Sequence, residues 1–248
     1  MKIVIPYKPR EHQKAVHNKL KRFNVLVCHR RFGKTVLCIN ELLKKAMQNT
    51  LTRPRYYYLA PTYSMAKRTA WDYLKEYTSV LPNVTYHETE LRADLPNGAR
   101  IQLLGCERPD SLRGLYIDGV VLDEVAQMPP RLWTEIIRPA LSDREGFMVA
   151  IGTPQGHNAF FDLYDYASHN EDWYAETFKA SETDIISELE LNEAKALMPD
   201  EVYESEFECS FDSASIGSIY AKGLTKADEE KRITKVPYEL GIKVNTYW

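Results

Sequence analysis

The sequence predicts an α/β protein with a doubly wound, mainly parallel sheet. Four short apolar runs, which are typical of buried strands, alternate with segments whose apolar residues recur at helical spacing. The predicted strands are residues 24–28, 55–60, 119–122 and 147–152. Because this alternation places helices on both faces of a parallel sheet, ligands are expected at the carboxyl ends of the strands.

Helices and peripheral strands complete the predicted fold. A helix begins near Glu11, and Pro129-Pro130 opens another, because proline fits the first helical turn. The Asn97-Gly98 pair is typical of a hairpin turn, so a small antiparallel set of strands is predicted around it. The other predicted helices are residues 35–47, 63–77, 186–197 and 199–209, and the other strands are 84–87, 90–95, 100–104 and 173–180.

Composition limits the class of protein. With 248 residues, of which 44% are hydrophobic, the chain is long enough for one sizeable domain and a small appendage. No apolar run approaches the length of a membrane span. The cysteines form no Cys-x-x-Cys pair, so we expect reduced core thiols and no metal site among them. A net charge of −3 gives no general support for nucleic-acid binding.

The most informative motif is Cys-His-Arg-Arg-Phe-Gly-Lys-Thr at residues 28–35. It matches the phosphate-binding loop pattern G-x-x-x-x-G-K-[ST], with Cys28 in place of the first glycine. In this pattern Gly33 lets the backbone approach the phosphates, Lys34 reaches their β and γ oxygens, and Thr35 ligates Mg²⁺. Since a predicted strand precedes the loop and a predicted helix follows it, the motif indicates a nucleoside triphosphate site.

Two carboxylates end the third predicted strand. Asp123 can hold the hydration shell of the Mg²⁺ that Thr35 also contacts, and Glu124 can orient and deprotonate the attacking water. Thr153, after the next strand, can contact that water or the γ-phosphate, although an ordinary turn is the alternative interpretation. We therefore expect Glu124 to be required for turnover and not for ATP binding.

Two positions outside these motifs also have alternative interpretations. The Gln13 amide can pair with the N6/N7 edge of adenine, but it can equally face solvent. Arg113, next to Gly114, is either a surface residue or an arginine finger that acts on the γ-phosphate in a neighbouring subunit. Arg138 and Arg144 are alternatives for the same role.

Taken in order, these motifs resemble those of the large terminase subunit of tailed bacteriophages, the ATPase motor that packages double-stranded DNA into a capsid. The matching segments are Gln13, Arg30 to Thr35, Ala60-Pro61-Thr62, Val120 to Glu124 and Ile151-Gly152-Thr153. The resemblance covers about residues 7–211. It implies a P-loop ATPase core of the RecA-like, catalytic-glutamate type at residues 1–170, followed by a small helical lid subdomain at 171–211.

The resemblance also implies roles for single residues. Arg30 would contact the γ-phosphate in cis, Arg113 would be the finger in trans, and Thr153 would couple hydrolysis to movement, with Glu124 as the catalytic carboxylate. The implied ligands of ATP are Gln13, Arg31, Phe32, Gly33, Lys34, Thr35 and Asp123, of which Thr35 and Asp123 also serve Mg²⁺.

Partners and location are implied in the same way. The expected partners are double-stranded DNA, the portal protein, the small terminase subunit and identical subunits in a ring, for which a pentamer is expected, with a monomer in isolation. The expected location is the cytoplasm of the infected bacterial host, without membrane association. Residues 212–248 are expected to be a linker and the start of a truncated RNase H-like nuclease domain, so nuclease activity is not expected.

Two other functions are compatible with parts of the pattern. A DEAD-box-like helicase shares the glutamine, Gly-Lys-Thr and Asp-Glu elements, but it requires a second RecA-like domain, and the sequence has one phosphate loop followed by a linker. A nucleotide-binding adaptor without enzymatic activity is disfavoured, because Lys34, Thr35, Asp123 and Glu124 are all present.

Overall fold

The computed structural model describes residues 4–212 and a few positions between 223 and 232. The chain divides into two compact units, Met1–Ser213 and Ala214–Trp248. The expected linker and the expected start of a nuclease domain, residues 212–248, therefore lie almost entirely outside the described residues.

The first unit is built on one eight-stranded sheet. Its strands are β1 (Phe23–Cys28), β2 (Arg55–Ala60), β3 (Thr85–His87), β4 (Arg92–Asp94), β5 (Arg100–Gly105), β6 (Gly119–Asp123), β7 (Phe147–Gly152) and β8 (Trp173–Phe178). Their order is β3-β4-β5-β2-β6-β7-β1-β8. In this order, every neighbouring pair from β5 onwards is parallel, whereas the pairs β3–β4 and β4–β5 are antiparallel. The predicted doubly wound, mainly parallel sheet is confirmed.

Helices of varied length connect these strands. Those in the described residues are α1 (Glu11–Lys19), α2 (Lys34–Gln48), α3 (Tyr63–Ala66), α4 (Asp72–Thr78), α5 (Arg138–Ala140), α6 (Ala159–Ser168), α7 (Ala180–Thr183), α8 (Glu188–Leu197) and α9 (Asp200–Glu206). A π-helical turn, Lys67–Trp71, joins α3 to α4, and another, Leu132–Ile137, precedes α5. None of the described helices has the length and apolar character needed to cross a bilayer.

The core occupies both faces of the sheet. Successive residues of β1 point to opposite sides, so Leu26 and Cys28 join one buried cluster while Val25 and Val27 join the other. The first cluster includes α2, and the second includes α6. Strands buried on both faces have continuous apolar sequences, which is why the sequence predicted them well.

The small antiparallel set of strands predicted at 84–104 is present as β3, β4 and β5, and β5 joins it to the main sheet by pairing in parallel with β2. Two other features differ from the sequence expectations. The helix expected to open at Pro129-Pro130 begins only at Leu132. Helix α6 was not predicted, although Asn158 caps it by accepting hydrogen bonds from two backbone amides.

The predicted lid segment, residues 171–211, begins within the sheet. Its strand β8 pairs in parallel with β1 along the whole length of both strands. The short helices α7, α8 and α9 make up the rest of the segment. That this segment forms a subdomain separate from the core stays a prediction.

Candidate nucleotide-binding site

The phosphate loop connects β1 to α2 through two residues in the left-handed region. Arg31 has φ +70° and Gly33 has φ +92°. Glycine is favoured at this position by its left-handed conformation, and a Cβ atom would also lie 2.8 Å from Gln13 Nε2 and displace that side chain. Cys28 ends β1 without a positive φ, and the exchange of the first motif glycine for cysteine therefore causes no backbone strain.

Buried residues of the phosphate loop contact β8 and α7. The Phe32 ring is fully buried and packs against Phe178 of β8, with ring centroids 4.8 Å apart. The His29 amide donates to the Phe178 carbonyl at 3.0 Å, and His29 Nε2 lies 2.8 Å from Thr183 Oγ1. Burial lowers the pKa of His29, which favours the neutral ring. The loop is thus tied to β8 and α7.

The N-terminal segment forms hydrogen bonds with the backbone of the phosphate loop. The Arg10 guanidinium donates to the carbonyls of Arg31 and Phe32 at 3.2 and 3.3 Å. Gln13 is buried; its Oε1 accepts from the Arg10 amide, and its Nε2 donates to the Gly33 carbonyl at 3.2 Å. The Gln13 amide therefore does not face solvent, and its pairing with adenine stays a prediction.

Lys34 lies between a hydroxyl and a carboxylate at the start of α2. Its Nζ is 3.0 Å from Thr153 Oγ1 and 3.5 Å from Glu124 Oε1. Burial lowers the pKa of Lys34, but Glu124, Cys28 and Asp123 together outweigh it, so the pKa is raised and the amine stays charged. Glu124 has φ +57°, an unusual conformation for a non-glycine residue, which turns the chain directly after β6.

Asp123 is buried at the end of β6. Its Oδ2 accepts a hydrogen bond from the Tyr58 hydroxyl of β2, while its Oδ1 is buried without a hydrogen-bond partner. Burial raises the pKa of Asp123 to about 6, the neighbouring Glu124 acts in the same direction, and the bond from Tyr58 opposes both. A buried acceptor without a donor is rare in folded proteins and needs a specific explanation.

These groups surround one cavity of about 250 Å³ at the carboxyl ends of β1, β6 and β7. Six predicted site residues line it, namely Arg30, Lys34, Thr35, Asp123, Glu124 and Thr153, together with Glu206 of α9. Two larger cavities, of about 440 and 390 Å³, are lined mainly by apolar side chains and hold no comparable set of charges. The small polar cavity is therefore the candidate site.

The other predicted residues lie elsewhere or act differently. Arg113 does not line the cavity; it is exposed and pairs with Asp110 and Glu135 at 2.9 and 3.4 Å. Arg138 donates to Ser142, and Arg144 pairs with Asp118. None of these three arginines lines the cavity, and a role for Arg113 in a neighbouring subunit stays a prediction.

Two cavity contacts were not predicted from the sequence. Glu206 accepts from the Arg30 guanidinium at 3.3 Å, and its carbonyl accepts from the Arg30 amide at 2.8 Å. Tyr58 reaches Asp123 from the neighbouring strand. A run of three tyrosines in β2 was the only sequence signal for Tyr58, and nothing in the sequence pointed to Glu206.

The strand, the glycine-containing loop, the helix that begins at lysine and the adjacent strand with two terminal carboxylates define the RecA-like P-loop nucleotide-binding fold. No family model matches the chain. The large terminase subunit of Thermus phage G20c is 28% identical over 182 residues, covering 65% of this chain and 37% of that relative. The chain thus spans about a third of its length.

Solved structures lead to the same group. The large terminase ATPase domain of Thermus phage P74-26 matches with a TM-score of 0.72 and 23% identity, covering 84% of this chain and 95% of that one. The large terminase of another thermophilic bacteriophage, in complex with ATP-gamma-S, matches with a TM-score of 0.64 and 17% identity over 77% of this chain and 48% of that one. The resemblance to phage large terminase ATPase domains is confirmed.

Proposed function

We propose that this cavity binds ATP with Mg²⁺ and hydrolyses it. The observation that carries the proposal is Lys34 Nζ, which lies 3.0 Å from the Thr153 hydroxyl and 3.5 Å from the Glu124 carboxylate. These groups meet at the N-terminus of α2, where backbone amides favour an anion such as a phosphate. The complexes of the second phage terminase with ATP-gamma-S and with ADP support the same class of ligand here.

Asp123 and Thr35 fit a Mg²⁺ ion that is bound together with ATP. Asp123 Oδ1 has no hydrogen-bond partner, and a water of hydrated Mg²⁺ would supply the missing donor. Mg²⁺ usually keeps several waters and binds through one or two protein groups plus phosphates, which agrees with this small donor set. When bound, the ion would neutralise charge on the β- and γ-phosphate oxygens.

The protein groups around the phosphates have separable proposed roles. Glu124 orients the attacking water and accepts its proton, and Lys34 moves from Glu124 to the phosphate oxygens. Arg30 exchanges Glu206 for the γ-phosphate. Thr153 accepts a hydrogen bond from Lys34 in this structure. It is proposed to respond to the same phosphate and to couple hydrolysis to movement.

The loop residues contribute mainly through the backbone. Because the Phe32 ring is buried, only its backbone amide is proposed to face the phosphates. Gly33 and Arg31 shape the loop through their left-handed conformations, and Arg31 adds an exposed positive charge beside the site. Gln13 is proposed to pair with adenine, and its hydrogen bond to the Gly33 carbonyl would connect that contact to the phosphate loop.

The role of Glu124 is tested by Glu124→Gln, which removes the base and keeps the shape. We expect ATP hydrolysis to fall at least about 100-fold, while the Kd for ATP changes little. Glu193→Gln on the exposed part of α8 is the control for the change in charge. Equal hydrolysis by the wild-type chain and Glu124→Gln would show that the site is assigned wrongly.

We propose further that hydrolysis drives double-stranded DNA into a viral capsid. The relatives named as large terminase subunits support this proposal. It includes the portal protein, the small terminase subunit and a ring of identical subunits as partners, with Arg113 acting in trans, in the cytoplasm of the infected host. Stimulation of hydrolysis by duplex DNA, falling steeply with salt, is the expected result; no stimulation at any salt concentration would contradict it.

A further inference from the structure

The Tyr58 hydroxyl contacts one of the two side chains that are proposed to serve Mg²⁺. Tyr58 is fully buried in β2, and its hydroxyl donates to Asp123 Oδ2. One phenol group of β2 thus holds the carboxylate at the end of β6.

The sheet register explains how Tyr58 reaches this position. Tyr58 pairs with Val121 of the parallel strand β6, so Asp123 lies two residues further along. Two residues advance a strand by about 6.6 Å. The length of the tyrosine side chain allows its hydroxyl to contact Asp123 at the strand end. A phenylalanine would fill the same core space but would not reach the carboxylate.

The two oxygens of the Asp123 carboxylate have different surroundings. Oδ2 is held by Tyr58, whereas Oδ1 is buried and has no partner. Burial raises the pKa of Tyr58 well above its ordinary value, so the phenol stays protonated and remains a donor. With Oδ2 fixed, the carboxylate cannot rotate freely, and Oδ1 keeps one direction.

We propose that Tyr58 is a positioning residue that orients Asp123 for the magnesium ion of the bound nucleotide. This inference rests on the nucleotide site proposed above. Groups that orient metal ligands in this way change metal affinity by about 10- to 100-fold when they are removed. The structure distinguishes Tyr58 from Tyr56, whose hydroxyl bonds Asn49 and the Lys45 carbonyl instead.

The test compares Tyr58→Phe with Tyr56→Phe, a matched control that removes a hydroxyl from the same face of the same strand. Binding of a fluorescent ATP analogue is titrated with Mg²⁺ and is also measured in EDTA. For Tyr58→Phe we expect the Mg²⁺ concentration at half-maximal effect to rise about 10-fold, with unchanged affinity in EDTA. Tyr56→Phe is expected to match the wild-type chain in both measurements.

The outcomes separate the inference from the function on which it rests. If the wild-type chain shows no Mg²⁺-dependent nucleotide binding, the proposed function fails. If it does, and Tyr58→Phe has the wild-type Mg²⁺ requirement, the role of Tyr58 is refuted. If Tyr58→Phe does not fold, the wild-type chain is crystallised with Mg²⁺ and ATP-gamma-S instead. A Tyr58 hydroxyl that still donates to one Asp123 oxygen while the other oxygen faces the ion supports positioning, and an Asp123 carboxylate that has released Tyr58 overturns it.

Discussion

Glu206 is expected to compete with the γ-phosphate for Arg30. In the structure Arg30 Nη1 lies 3.3 Å from Glu206 Oε2, at the edge of the cavity. If Arg30 follows the γ-phosphate, this pair breaks when ATP binds and re-forms when only ADP remains. Glu206→Gln weakens the competitor, and it should therefore strengthen binding of the triphosphate and leave ADP unaffected.

The exposure of the two side chains sets the size of this effect. The side chain of Arg30 is 66% exposed and that of Glu206 is 28% exposed. Pairs of this kind contribute about 0.2–1 kcal/mol, since water screens them. With 1.4 kcal/mol per tenfold in affinity, Glu206→Gln should bind ATP-gamma-S about 1.4- to 5-fold more tightly. The gain should shrink at high salt.

Competition against a fluorescent nucleotide measures the Kd values of ATP-gamma-S and ADP for each variant. Glu182→Gln is the control, because Glu182 makes a comparable exposed pair with Lys179. The ratio of the two Kd values should shift only in Glu206→Gln. An unchanged ratio would refute the exchange, and so would an equal gain for Glu206→Gln in an Arg30→Ala background.

Four further results are expected. His17→Ala leaves the buried Glu41 carboxylate with one weaker partner, Lys44, and should lower the free energy of unfolding by about 3 kcal/mol in urea titrations. Burial acts to raise the pKa of Glu41, but the His17 hydrogen bond and nearby positive charges lower it overall. The contribution of Glu41 to the free energy of unfolding is therefore complete above pH about 4.3 and is lost as the pH falls further. Glu41→Gln should reduce this loss of stability in acid. Gly33→Ala forces a Cβ to 2.8 Å from an amide nitrogen at φ +92°, and should cost about 1–2 kcal/mol in unfolding experiments and weaken ATP binding. Turnover per subunit should rise with protein concentration in the wild-type chain and not in Arg113→Ala; strict proportionality in both would remove the trans role.

The parts of the site that are local in sequence could be predicted. The loop that contains Gly33-Lys34-Thr35 begins at the end of β1, and Asp123-Glu124 lie at the end of β6. Parallel strands bring these ends to one edge of the sheet, so the pattern predicted where the groups meet. Lys34 indeed lies within 3.5 Å of Glu124.

Contacts between distant segments could not be predicted. Glu206 follows Arg30 by 176 residues and Asp123 follows Tyr58 by 65, and no spacing rule connects either pair. Phe32 was expected among the nucleotide ligands, but the side chain of an aromatic residue in a loop can face either the ligand or the core. Here it packs in the core against Phe178, a position that only the β1–β8 pairing determines.

The two loop arginines, adjacent in sequence, differ in what they can do. Arg31 is exposed in a left-handed conformation, and its carbonyl is held by Arg10, so it belongs to the fixed part of the loop. Arg30 lines the cavity and contacts the end of α9 twice, once through its side chain and once through its amide. Only the side-chain contact can be exchanged for a phosphate, because the other contact, at 2.8 Å, is a backbone hydrogen bond from the Arg30 amide to the Glu206 carbonyl. We therefore propose that loss of the γ-phosphate restores the Arg30–Glu206 side-chain contact while the backbone hydrogen bond persists, so that Arg30 transmits the change to α9.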